Sequence, residues 1–298
     1  MAYSSATIEP DLSDIDSVYP DSVNDANCTT SITSSALNYQ YHSYHEGEYL
    51  LPNDEQEQDR LDLSHHIYLM LLKGELHRAP VENPGRVLDL GTGTGIWAID
   101  FAEVPPNCKF EVDDFEQPWN YNAPFDYIHG RELEGAIRDH KQLFQQAFDN
   151  LKPNGWFEMA TFEVNTMSDD GTHLKSTYLL NSVKNIYASA RSFGKAMHSV
   201  PSWSDWIKKA GFVNVREEIY KLPQSPWSKD PEFLELGKYH QLNMLEAMPS
   251  YTYALFTRVL RWERVEIEAL LAGVRRELRD LSNHLYTRVY MIYGQRPP

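Results

Sequence analysis

The sequence predicts an α/β fold: an open, Rossmann-like sheet with flanking helices and a helical cap. Two observations carry that prediction. From Arg86 onward, short apolar runs alternate with runs of helical spacing, the pattern of strands and helices laid down in turn. The first apolar run, RVLDL, passes straight into GTGTG and then into the helical IWAIDFA, so a glycine-rich turn joins a strand to a helix. With 298 residues, 42% of them hydrophobic and 12% aromatic, the chain has material for one large domain or for one domain plus an appendage.

Residues 1–40 are rich in Ser, Asp, Asn and Thr without helical or strand periodicity, so a disordered tail is expected there. The folded domain is expected over 41–298. A helix of roughly 20 residues should begin near Asn53 as N-cap, with an acidic first turn and with Leu61, Ile67, Tyr68, Leu71 and Leu72 on one face. RVLDL, KFEVD and FDYIHG follow as strands, then DHKQLFQQAFDNLK as a helix. Pro153, Asn154 and Gly155 make a turn into the strand WFEMATFEV. Helical insertions are expected at about 172–210, closed by Gly211 as a C′ cap, and at about 231–284. The last strand is LYTRVYMIYG.

Composition excludes several classes of function. No run approaches 18 consecutive apolar residues, so no membrane span is predicted. MAYSSATIEP has neither the basic start nor the apolar stretch of a secretory signal. Cys28 and Cys108 are the only cysteines, which suits a reducing compartment and argues against a disulfide scaffold or a cysteine zinc site. A cytoplasmic location is expected, with the nucleus as the other candidate. The net charge is −16, but residues 1–59 hold 12 Asp and Glu and no Lys or Arg, which leaves only −4 for the rest. The acidity belongs to the tail, where it could serve a regulatory protein partner. No basic face is present to bind nucleic acid directly.

Gly91, Gly93 and Gly95 recur at every second position after a buried strand. Glycine allows positive φ and close approach of a ligand to the backbone, and the following helix offers free N–H groups. A dinucleotide site would carry Gly or Ala at position 96, where Ile96 stands, and the P-loop lysine is absent. GxGxG preceded by an acidic residue, here Asp89, is the pattern of methyltransferases that use S-adenosyl-L-methionine (SAM). Read alone, it is also the pattern of a tight strand-to-helix turn.

LDLGTGTGIWAIDFA, VPPNCKFEVDDFEQPW, FDYIHGREL, LKPNGWFEM and YTRVYMIYGQRP, with the upstream YHEGEYLLPNDEQEQDRLDLSHH, together resemble the fungal LaeA-like class I methyltransferases over about residues 40–298. The resemblance implies a seven-stranded sheet, SAM as cofactor, a small-molecule or protein methyl acceptor, and a setting in fungal secondary metabolism or its regulation. It places Gly91, Gly93 and Gly95 at the methionine end of SAM, with Asp89 orienting their loop. Asp113, Asp114 and Phe115 would flank the adenine. His129, Gly130 and Arg131 would line the mouth of the site, and residues 44–49 could close over it.

One departure stands out. Family members place a whole strand between the first helix and VPPN, ending in the acidic residue that holds the ribose. Here Ala102 and Glu103 run straight into Val104, Pro105 and Pro106, so strand 2 is missing. Spacing alone would let KFEVD take its place, because Asp113 falls 18 positions after Gly95, close to the ~20-residue offset of a ribose carboxylate. Spacing therefore nominates Asp113 for the ribose, whereas the resemblance nominates it for the adenine. Either way weakened SAM binding is expected. The competing reading is a catalytically impaired protein of the same fold acting as a regulatory binding partner.

The remaining candidates are weak. His65 and His66 point about 100° apart on a helix and cannot easily chelate one ion. The 169–171 stretch, Asp-Asp-Gly, lacks the other ligands of a calcium loop, so no metal is predicted. Trp119, Trp156, Trp203 and Trp206 are candidates for a pocket lining or for the core. Methyl transfer needs alignment more than a base; His129 is the residue to test in that role.

Overall fold

The computed structural model describes residues 7–11, 54–102 and 108–298. The expected lid at residues 44–49 and nearly all of the acidic tail lie outside them. Residues 7–11, inside the stretch expected to be disordered, lie against the domain. Asp11 N donates to Trp227 O at 2.7 Å, Lys229 N donates to Glu9 O at 2.9 Å, and Ile8 is buried.

Helix α1 (Glu55–Leu71) is capped by Asp54, whose side chain accepts from Glu57 N at 3.0 Å, so the cap is one residue later than the sequence suggested. Strand β1 (Val87–Leu90) leads through the glycine turn into α2 (Ile96–Ala102). Then come β2 (Phe125–Arg131), α3 (His140–Asn150) and β3 (Leu151–Phe162). The first insertion contains α4 (Thr177–Phe193) and α5 (Trp203–Lys209), followed by β4 (Val213–Pro223). The second holds α6 (Pro231–Leu255) and α7 (Arg264–Arg279), and β5 (Tyr286–Gln295) ends the fold. As expected, Gly211 follows α5 in a left-handed conformation, φ +108°, and its N–H closes onto Lys208 O at 3.1 Å.

The strand order is β1-β2-β3-β5-β4, with β1, β2 and β3 parallel and β5 antiparallel to both its neighbours. This is a doubly wound α/β sheet. Residues of α3 and α5, among them Phe144, Trp203 and Ile207, form the core on one face, and α1 and α6 cover the other through Ile67, Leu71 and Leu236. A second core joins α4, α6 and α7 into the cap. Pro153, Asn154 and Gly155 are not a turn ahead of a strand but a bulge within β3. Leu151 faces Phe125 and Trp156 faces Tyr127, so the intervening residues loop out.

Two expectations are corrected. The sheet of the described residues has five strands, not seven, and 109–113 (KFEVD) is not one of them: residues 108–113 are irregular. Alternation marks the two faces of a strand but supplies no neighbour to pair with. Among the described residues no strand lies between this segment and β1 for it to pair with, and β1 is the edge strand of the sheet.

Candidate active site

The turn after β1 is built as its glycines require. Gly91, Gly93 and Gly95 all have positive φ, at +61°, +58° and +82°. A Cβ on Gly91 would lie 2.6 Å from Leu133 Cδ2, and one on Gly95 would lie 2.7 Å from Phe110 Cε1. The turn is therefore packed from outside, and it closes on itself through Gly95 N, which donates to Thr92 O at 2.9 Å.

Asp89 and His129 are directly opposite in the β1–β2 ladder, and Asp89 Oδ1 lies 2.7 Å from His129 Nδ1. The imidazole is 1% exposed and stacked on Trp97, with ring centroids 3.7 Å apart and planes 8° apart. Burial pushes the imidazole below its ordinary pKa, against the pull of Asp89. A neutral ring that donates from Nδ1 to the carboxylate satisfies both groups. His129 thus fixes Asp89 beneath the glycine turn. Gly130 follows where a Cβ would meet Met159 Sδ at 2.9 Å and Leu133 Cδ1 at 3.0 Å, so the strand must run bare past both side chains.

Helix α1 roofs this end of the sheet. Thr94 Oγ1 donates to Asp62 Oδ1 at 2.6 Å, which ties the turn to the helix. His65 bridges three elements, with Nε2 3.0 Å from Asp100 Oδ2 on α2 and Nδ1 3.0 Å from Arg131 Nη1 at the end of β2. Arginine can only donate, so His65 Nδ1 accepts and its Nε2–H points to Asp100. Burial, then the Arg131 charge, lowers the His65 pKa and keeps the ring neutral. Arg131 also lies 5.0 Å over the ring of Tyr68. The Tyr68 hydroxyl donates to Glu132, which also accepts from Phe162 N at 2.9 Å. Glu132 is in the left-handed region, φ +57°, costly for a residue with a Cβ, and burial raises its carboxyl above the ordinary range. Strain and a buried acid thus meet at the carboxyl end of β2, where an open parallel sheet binds its ligands.

The other expected residues are placed differently. Asp113 and Asp114 line the same cleft as the glycine turn, but their carboxylates are used locally. Asp113 Oδ1 accepts from Asp114 N at 2.9 Å, and Asp114 Oδ1 from Glu116 N at 2.9 Å. The Tyr121 hydroxyl, pushed up by burial, is raised further by Asp113 and Glu111. Tyr121 packs on Phe125 at the start of β2, the end of the strand away from the glycine turn. Phe115 does reach the turn, with Cε1 3.8 Å from the Cβ position of Gly91. Trp203 is fully buried in the core, and Trp119 and Trp206 pack against the same cluster. Trp156 packs near Tyr293. None of the four lines the cleft. Reading the sequence missed Trp97, Asp62, Thr94, Tyr68 and Glu132, and it set His65 aside. Only Trp97, in the helix straight after the turn, carried a signal.

The cleft measures about 2210 Å³, well above the ~300–1,000 Å³ of ordinary ligand pockets. Its lining includes Arg86, Val87 and Leu88 of the β1 region and residues 109–114. One end of the cleft has a bare glycine turn, the Asp89 carboxylate beneath it and the Thr92 hydroxyl, which is buried with no hydrogen-bond partner. Beside β1 the cleft has no described strand as a wall.

A glycine turn over a buried acid at the carboxyl end of the first strand, in a doubly wound sheet with a helical cap, defines the class I, SAM-dependent methyltransferases. Comparison with known proteins reaches the same class. The family profile described as a methyltransferase domain matches residues 64–217. Methyltransferase pytC of Aspergillus terreus is 34% identical over 325 residues, covering 100% of both chains. That alignment spans 27 more positions than the 298 residues of this chain, so it carries gaps on this chain's side. Secondary metabolism regulator LAE1 of Cochliobolus heterostrophus is 30% identical over 86% of this chain and 92% of its own. Protein-methionine methyltransferase laeA of Emericella nidulans is 32% identical over 86% of this chain and 75% of its own. The chain belongs to this methyltransferase family, and its activity is SAM-dependent methyl transfer. Among solved structures, phosphoethanolamine N-methyltransferase 2 of Haemonchus contortus matches with a TM-score of 0.42 at 16% identity. It covers 80% of this chain, which spans about half (52%) of that protein. No helix among the described residues is long and apolar enough to cross a membrane.

Proposed function

We propose that this chain methylates a small metabolite or a protein in fungal secondary metabolism or its regulation, holding SAM by the turn over the Asp89–His129 pair. The bound sulfonium supplies an activated methyl group. The chain's residues align donor and acceptor and keep water out.

The single observation behind this reading is the glycine turn, packed from outside and tied to α1 through Thr94 and Asp62. That link fixes α1 beside the turn. Arg131, Tyr68 and Glu132 are the polar groups at the acceptor side. His129 acts as the support of Asp89, because its ring is stacked, buried and already hydrogen-bonded. A screen of small phenols, amines and thiols beside peptide acceptors, with labelled SAM, tests the reading. Label transfer abolished by Asp89→Ala supports it; no transfer to any acceptor by protein that binds SAM favours the regulatory, non-catalytic alternative.

A further inference from the structure

The free edge of β1 and the segment 108–114 face each other across one cleft, and each lacks what the other offers. On the side away from β2, no described strand pairs with β1, so its backbone groups there are unladdered. Opposite it, Lys-Phe-Glu-Val-Asp at 109–113 alternates apolar with charged residues, which is strand patterning. Its apolar members have no core to enter: Phe110 is 55% and Val112 80% exposed.

The segment is tethered at both ends. Cys108 Sγ lies 3.4 Å from Ala98 O on α2. Phe115 packs against the main core, and its carbonyl accepts from Trp119 Nε1 at 2.9 Å. Its course is also set. The Phe110 ring touches Gly95, beyond the carboxyl end of β1, while the Glu111 carboxylate is held down by Lys109 first and also feels Arg86, just before the amino end. These two neighbours, one at each end of β1, favour a course opposite to the strand. Five extended residues span ~17 Å and the four of β1 ~13 Å, so the lengths match. A tether this short gives an effective concentration in the ~mM range, which favours this segment over any strand from another molecule.

We propose that residues 109–113 are a strap that closes antiparallel onto the free edge of β1 when the nucleoside end of the cofactor occupies the cleft. This rests on the cofactor reading above. Closure buries Phe110 and Val112, gives β1 its missing ladder and replaces the wall that strand 2 builds elsewhere in the family. It does so in the opposite strand direction. Asp113 then lies toward the amino end of β1, away from the ribose.

The test is hydrogen exchange on the full chain with and without saturating S-adenosylhomocysteine, with calorimetry under the same conditions and a Val112→Pro variant. Proline removes a backbone donor at an exposed position outside any helix or strand, so the free variant should melt with the wild type. The ligand should slow exchange at least ~10-fold in both 87–90 and 109–113. In Val112→Pro the slowing at 87–90 should vanish and affinity should fall ~10-fold. Binding heat with unchanged exchange in both segments overturns the strap and leaves the cofactor reading intact. Wild-type-like slowing at 87–90 in Val112→Pro also overturns it. No binding heat from folded protein removes the cofactor reading and the strap with it.

Discussion

Asp89 and His129 face each other across two parallel strands and share a 2.7 Å hydrogen bond, with Trp97 laid flat on the imidazole. The carboxylate under the glycine turn is thereby held by a neutral donor in a place with little access to water. The first prediction follows from that pairing.

Replacing His129 by Ala strips Asp89 of its donor and should destabilise the fold by about 1–3 kcal/mol, the cost of a buried polar group left unpaired. In the folded fraction, affinity for S-adenosylhomocysteine should drop ~10-fold while kcat at saturating SAM changes little. A kcat loss above ~100-fold at unchanged affinity would instead make His129 a general base.

Gly91→Ala puts a methyl group 2.6 Å from Leu133 Cδ2 at a φ of +61°. The left-handed conformation alone costs ~1–2 kcal/mol, and Leu133 must shift as well. A loss of about 2–3 kcal/mol in urea unfolding is expected. Gly74→Ala, also at positive φ but with nothing within 4 Å of its Cβ position, should cost about 1 kcal/mol and leave cofactor affinity unchanged.

Asp113→Ala should change cofactor affinity by less than about threefold, under 1 kcal/mol. Its carboxylate serves its own backbone and lies in the field of Tyr121, not of the glycine turn. A tenfold loss on calorimetric titration would restore the ribose role that sequence spacing gave it.

His240 on α6 is buried with neither ring nitrogen hydrogen-bonded, beside Phe162. Burial pushes its pKa down to about 3. The unfolded chain, with an ordinary value of ~6.5, binds a proton that the folded chain refuses. This group's penalty therefore grows as pH falls below ~6.5, by up to ~1.4 kcal/mol per pH unit. His240→Leu should stabilise the protein by about 1–2 kcal/mol at pH 7.5. The gain should be about 1 kcal/mol larger at pH 5.5. Comparing the two proteins isolates this effect from Glu134 and Glu158, whose carboxyls burial raises to about 7. Their contribution has the opposite sign, because stability from a protonated buried acid is lost as pH rises.

The glycine turn was legible in the sequence because it is a local matter: three residues in the left-handed region must be glycine or be strained, whatever surrounds them. The strand FDYIHG was legible for a similar reason, its apolar run being closed by turn residues. The α1 contacts were not. Asp62 meets Thr94, and Tyr68 meets Glu132, across 32 and 64 positions of sequence, and no periodicity encodes such pairs. KFEVD misled because its alternation is real while no strand among the described residues pairs with it. A strand is a property of two segments, and alternation reports on only one of them.

The most direct test of the account is calorimetric titration of the full chain with S-adenosylhomocysteine, beside Gly91→Ala checked for folding by circular dichroism. The account predicts saturable one-to-one binding by the wild type, weakened at least ~10-fold in the variant. Folded wild-type protein that gives no binding heat, or a variant that binds as tightly as the wild type, would contradict it.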